Sequence, residues 1–245
     1  LWGYVLTDQR PLRTKVIAEV ATSFDGEAEL NAQGLCVRGN RAEILKNVSV
    51  AVHAQITNYE ALSPRTVNAS ISLRNISEPR EYELPITASV SSALGTVQQV
   101  TPSTVKVEID TLVTQTVPVS TIYVGELAEG YWADMTAATV TSRIDITGPK
   151  TDISRVTSAE CVVDLTGRSS TIYSTFGVVF YDREGQEVSA DIVVGTVPTS
   201  TVRLPIYPMR TVPIDVMGSL VGVDNLASNY ELASAVATPF SARIV

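Results

Sequence analysis

The tripeptide Val117-Pro118-Val119 returns 95 residues on as Val212-Pro213-Ile214, each time behind a Thr. A more diverged copy of the same unit fills the region from about Val16 to Thr111. Self-similarity at a fixed, domain-length period makes this chain a tandem array of small folds. The spacing sets a leading segment at 1–15, one domain at 16–111, a second at 112–207 and part of a third at 208–245. A function built on repetition rarely resides in one catalytic constellation, so the residues are read first for architecture.

Hydrophobic residues make up 44% of the chain, enough for each unit to bury a core. Val, Thr, Ser and Ile dominate, and Val, Ile and Thr suit the pleated, half-buried surface of a sheet. Val48, Val50, Val52, Ala54 and Ile56 form an alternating strand pattern, and the stretch Val140–Ile146 alternates apolar with polar. Gly148-Pro149-Lys150 breaks the second of these, with Pro149 placed for a first helical position and Asp152 in the first turn. Gly39-Asn40 occupies the equivalent place in the first unit, where Asn40 and Glu43 have capping-box spacing. Gly39 with Gly148 and Ile44 with Ile153 are both 109 residues apart.

Val117–Val124 reads as the opening strand of the second unit, with Pro118 near its start. Tyr173–Tyr181, Asp182-Arg183-Glu184-Gly185 and Gln186–Val194 read as a hairpin whose glycine supplies positive φ. Alternating strands follow Pro102 and Pro198 and close the units. The one stretch with helical character beyond a turn or two is Ala227–Ala235. The expected class is therefore all-β: linked small β domains.

Composition excludes several functions. Net charge is −8, and the stretches ending at Thr111, Ile206 and Val245 carry −2, −5 and −1. A nucleic-acid surface needs clustered Lys and Arg, so no nucleic-acid partner is expected. Cys36 and Cys161 fall at different places in their repeats and read as small buried hydrophobes, although pairing remains open. His53 is the single histidine and falls on the polar phase of its strand, which predicts an exposed ring. With one His, two distant Cys and no acidic cluster, no catalytic residue, metal site or cofactor is expected. No glycine-rich phosphate loop opens a helix, and no small-molecule substrate is expected. Sequons at Asn47, Asn68 and Asn75 match chance expectation in a Ser/Thr-rich chain.

Two groups of residues remain as candidate contacts. Tyr131-Trp132 follows Gly130 at a loop end, with Asn229-Tyr230 in a comparable place. The pair reads first as Trp132 plugging the end of its domain's core, and otherwise as an exposed contact site. Leu1-Trp2-Gly3-Tyr4-Val5 reads either as a frayed apolar terminus or as the last turn of a helix leaving a bilayer. Arg10, Arg13 and Lys15 follow it closely, whereas positive charge usually flanks the cytoplasmic side.

The Val-Pro-Val/Ile openings, the Ile146-Thr147-Gly148-Pro149 turn, the Val163-Asp164-Leu165-Thr166-Gly167 strand and the Pro-initiated closing strands resemble the tandem extracytoplasmic domains of YbbR-like proteins, regulators of membrane diadenylate cyclase. The Leu-Trp-x-Tyr-Val start is similar to the end of the single membrane helix that precedes the repeats in that family. The first unit departs from the pattern: it lacks the Val-Pro-Val opening and has Asn40 where the family favours Pro. The resemblance implies a tandem repeat of YbbR-like β domains outside a Gram-positive cell, anchored by one N-terminal helix that precedes this sequence. Its partners would be the membrane and the diadenylate cyclase that makes cyclic di-AMP. Leu1, Trp2, Tyr4, Val5, Arg10 and Arg13 are then the candidate membrane-proximal coupling residues. The competing class is a cell-wall-facing module that binds a glycan or a surface protein.

Overall fold

A computed structural model describes residues 12–216 and 220–245; Leu1, Trp2, Tyr4, Val5 and Arg10 lie outside them. The elements begin β1 (Leu12–Val20), β2 (Thr22–Asp25), α1 (Glu27–Ala32), β3 (Leu35–Arg38), α2 (Arg41–Ile44), β4 (Val48–Gln55), β5 (Val67–Ser72), β6 (Glu81–Val90), β7 (Thr96–Thr101) and β8 (Thr104–Val124). They continue β9 (Tyr131–Ala133), β10 (Thr139–Val140), β11 (Arg143–Pro149), α3 (Lys150–Ile153), β12 (Ser158–Asp164), β13 (Ile172–Gly177), β14 (Val179–Tyr181) and β15 (Glu187–Val188). Last come β16 (Thr199–Leu204), β17 (Ile206–Pro208), β18 (Arg210–Pro213) and β19 (Ser241–Ile244). The protein is all-β, and the α-helices among the described residues run four to six residues.

The chain forms two compact units, each assembled from separate stretches. The first takes in the chain up to Val117 together with 145–157 and 180–197; the second takes in 118–144, 158–179 and 198–245.

In the first unit β4 is buried at every second residue, as its alternation requires, and lies between β1 and β7 in an antiparallel sheet. A second sheet has β2 parallel to β5, then β6 and β8 antiparallel, with β3 and β11 also pairing β8. The inner faces share one core: Ile17, Val50 and Val52 from the first sheet meet Ile71, Val107 and Ile109 from the second. Burying each such side chain contributes about 1.5–3 kcal/mol relative to exposure. Leu30 joins this core from α1, a helix the β-rich composition gave no reason to expect.

The strand expected to open at Val117 instead begins at Thr104 and runs 21 residues. No Gly or Pro interrupts 103–117, so nothing terminates the pleat, and Pro118 falls inside the strand. It directly precedes Val119, the first β8 residue paired with β12, so its missing N–H leaves that ladder intact.

The paired glycine turns are present. β3 passes through Gly39 into α2, and β11 passes through Gly148 and Pro149 into α3. The Asn40 side chain caps α2 by accepting from the Ala42 amide at 2.9 Å, but Glu43 pairs with Lys46 at 3.6 Å and no capping box forms. Pro149 is the extended N-cap of α3, ψ 127°, one position before the expected one. Gly148 is required for room: a Cβ there would strike the Ile192 carbonyl oxygen.

Arg38, at the end of β3, ties this turn down. Its Nε and one Nη donate to the two Asp152 oxygens at 2.9 and 3.0 Å, and its other Nη donates to Glu108 at 2.7 Å. Such bidentate, charge-assisted bonds are among the strong ones. Beside them Asp110 accepts from the Thr151 amide at 2.8 Å and the Thr111 amide at 2.7 Å.

The expected hairpin survives only at its tip. β14 and β15 pair Phe180 with Val188 and Tyr181 with Glu187, and Gly185 takes φ 76° in the turn. Upstream, β13 pairs β16 instead; downstream, Ser189 caps a 3-10 turn at Ala190–Ile192. In the second unit β12 runs parallel to residues 119–124, β16 lies between β10 and β13, β9 pairs β17, and β18 pairs β19. Residues 227–235 form no helix; a 3-10 turn at Val223–Asn225 precedes them.

The Asp110 contacts predict a pH dependence. Partial burial pulls its pKa up, but the Thr151 amide and hydroxyl, the Thr111 amide and the Arg38 charge outweigh it and hold the carboxyl below its ordinary value. Its contribution is therefore full above the unfolded pKa of about 3.9 and is lost as pH falls through the folded value. Asp110→Asn is expected to cost about 1 kcal/mol at neutral pH, allowing for solvent screening. Urea denaturation across pH checks this: the gap between the two proteins should close below about pH 4.

Candidate functional site

The residues singled out by chemistry do not converge. His53 is half-buried rather than exposed, because β4 is flanked on both sides: Thr14 of β1 and Thr96 of β7 are its cross-strand neighbours, with the Thr14 hydroxyl 3.4 Å from Nδ1. Cys36 and Cys161 are free and buried. Among the described residues no group of three His, Cys, Asp or Glu side chains gathers as a metal site would need. Arg13 is exposed on β1 opposite Ala54. No helix among the described residues is long and apolar enough to cross a membrane.

Trp132 is the exception, and its geometry follows from the strand register, which puts Tyr131 on the other face of the strand. Gly130 closes a turn in which the Tyr131 amide donates to the Ala128 carbonyl at 3.2 Å. β9 then runs antiparallel to β17, pairing Tyr131 with Pro208, Trp132 with Tyr207 and Ala133 with Ile206. Side chains alternate across a strand, so these pairs fall on two faces. Ala133 and Ile206 are 7% and 5% exposed and point into the core. Trp132 and Tyr207 are 42% and 43% exposed on the opposite face. Trp132 therefore does not plug the core; the small Ala133 holds the inward position.

The two aromatics are directly opposed, and the strand ends fix them. The Asp134 amide donates to the Pro205 carbonyl at 2.9 Å and the Met209 amide to the Gly130 carbonyl at 2.7 Å. Those bonds join the positions on either side of the Trp132–Tyr207 pair along the same face. Asp134 in turn accepts from the Thr136 hydroxyl at 2.6 Å and from the Thr136 and Ala137 amides. The hydroxyl first, then the amides, hold its carboxyl below the ordinary range. Met135 is also exposed beyond the pair. Tyr207 gave no signal in the sequence, since only the register of β17 brings it opposite Trp132.

The model of the YbbR-like protein family matches residues 117–204, from the Val-Pro-Val opening to the end of β16. Those residues are similar to a YbbR-like domain. YbbR-like proteins are not a known enzyme family. The matched stretch supplies Tyr131 and Trp132, and the strand that follows it supplies Tyr207. Among solved structures the chain is similar to a YbbR-like protein from Streptococcus pneumoniae TIGR4, with 14% identity and a TM-score of 0.47, over 82% of this chain and 98% of that one. No curated protein matches the chain.

The two faces of β9 and β17 separate contact from core. Trp132→Ala is expected to change unfolding stability by about 1 kcal/mol or less, the worth of an exposed cross-strand pair. Ile206→Ala on the buried face is expected to cost about 2–4 kcal/mol. Urea denaturation of both variants measures the contrast, and equal losses would return Trp132 to a core role.

Proposed function

We propose that the chain is a non-enzymatic, extracytoplasmic regulatory protein of the cell membrane that modulates a membrane-bound diadenylate cyclase, and so cyclic di-AMP synthesis, by protein contact. The match of residues 117–204 to the YbbR-like family is the observation that carries this reading. A β array with repeated openings supplies surfaces rather than a reaction centre, which suits regulation by contact. Physically, such a protein must bind two states of the cyclase unequally, since a partner without differential affinity shifts nothing. A tenfold change in output corresponds to about 1.4 kcal/mol of differential contact. Leu1, Trp2, Tyr4, Val5, Arg10 and Arg13 are the residues proposed to transmit it beside the membrane.

A second reading, a wall-facing module for a glycan or surface protein, is favoured by one observation. Trp132 and Tyr207 stand exposed, and Tyr230, in the comparable place of the third repeat, is 75% exposed. Exposed aromatics offer the flat apolar faces on which sugar rings and protein side chains pack.

The deciding experiment measures cyclic di-AMP in cells co-expressing the host's membrane diadenylate cyclase with and without the full-length protein. The regulator reading expects a severalfold change that disappears when the membrane anchor is replaced by an unrelated helix. An unchanged output, with the cyclase active and both proteins in the membrane, would discard it in favour of the wall-facing module.

A further inference from the structure

The outward face of the sheet strands in the second unit carries more than Trp132 and Tyr207. β16 runs on into β17 past Pro205, and β9 and β10 lie along the same edge of them. Tyr207 therefore faces Trp132 at one end, and Arg203 faces Thr139 further along. β13 lines the other edge of β16 and sets Tyr173 opposite Arg203 and Thr175 opposite Thr201. Val202, Leu204 and Ile206 are buried, which turns Arg203 and Tyr207 outward together. Residues directly opposite in a ladder share a face, so Thr139, Tyr173, Thr175 and Thr201 are exposed with them. All of these residues belong to one compact unit.

Three features of this face point to one kind of ligand. Aromatic rings stand exposed at both ends: Trp132 with Tyr207 at one, and Tyr173, 76% exposed, beside Arg203 at the other. Four strand residues separate Arg203 from Tyr207, about 13 Å, which calls for a chain of rings rather than one. Arg203 enters no ion pair among the described residues. The outward positions of these strands hold no acidic residue, and Asp134 beside Trp132 is spent on the Thr136 hydroxyl and the Thr136 and Ala137 amides. The third feature is the threonines, whose hydroxyls both donate and accept.

We propose that this face binds a polysaccharide built of carboxylated sugar rings. Sugar rings lay their apolar C–H faces on exposed aromatics, their hydroxyls match the threonines, and a guanidinium takes a carboxylate through two parallel bonds. A phosphate-linked open-chain polyol brings the charge but no ring for Tyr173 and Trp132. An acidic peptide brings the charge but no hydroxyls for the threonine rows. The net charge of −8 opposes a polyanion only at a distance, and salt screens that repulsion beyond about 8 Å. The proposal rests on the wall-facing reading, whose ligand it narrows, and not on cyclase regulation.

The test is calorimetric titration of the purified chain with three probes. Trigalacturonate has rings and charge, its methyl ester keeps the rings without the charge, and triglutamate keeps the charge without the rings. Trigalacturonate is expected to bind with Kd of about 1 mM, the ester about tenfold more weakly, and triglutamate not at all. Arg203→Gln is expected to remove the preference for acid over ester, and Tyr173→Ala to weaken both about tenfold. Both positions are exposed, and thermal melts check that the variants remain folded. Absence of trigalacturonate binding, equal binding of the ester, or indifference to either folded variant overturns the proposal. Equal binding of triglutamate also overturns it and makes the face a contact for acidic protein. Cosedimentation with the host's protein-stripped cell walls separates the two readings. Walls bound without trigalacturonate discard the acidic-sugar site and keep the wall-facing module; binding to neither discards both.

Discussion

At Glu108 the backbone of β8 is paired on both edges, to Glu81 of β6 and to Arg38 of β3. A strand hydrogen-bonded on two sides cannot slip, because a one-residue shift would turn every inward valine and isoleucine outward. Val107 and Ile109 flank that position and are fully inside, so register and core fix one another. The same residue carries the charge arrangement. Glu108 draws the Arg38 guanidinium across, and the rest of that guanidinium holds Asp152 and with it α3. Glu81, the like charge beside Glu108, is offset by Lys106 at 3.3 Å. The start of α3 after Gly148 follows from where β8 places Glu108, which holds Arg38 against Asp152, and Asp110, which accepts from the Thr151 amide.

Local pattern was legible where one face of an element is wet. β4 alternates without a fault and is buried without a fault, because β1 and β7 pair its edges while its polar face stays half open. The glycine turns at Gly39 and Gly148 were legible because steric room and positive φ restrict the residue type. The continuity of β8 was not legible: Pro118 is an ordinary strand-boundary signal, and only the position of the β12 ladder shows why it is tolerated inside. The hairpin was read too long for a related reason, since the partner of β13 is β16, and long-range pairing leaves no mark in nearby residues.

The candidate contact surface shows the same limit at the level of function. Gly130 and the two aromatics after it drew notice as a pair, but the sequence does not say which of three consecutive strand residues faces inward. The smallest, Ala133, does so, and the largest is left outside because Ile206 across the ladder already fills the space.

The two cysteines turn their burial to use. Cys36 lies in the first unit and Cys161 in the second, and both are shielded from solvent. Burial, with the charges of Asp110 and Asp152, pushes the Cys36 thiol up to about 12, and burial raises Cys161 as well. A thiol-modifying reagent therefore reaches neither until its surroundings open, when the sulfur returns to an ordinary pKa of about 8.5 and reacts. Each unit thus contains its own clock: the speed at which its one cysteine is alkylated reports how often the surroundings of that thiol open.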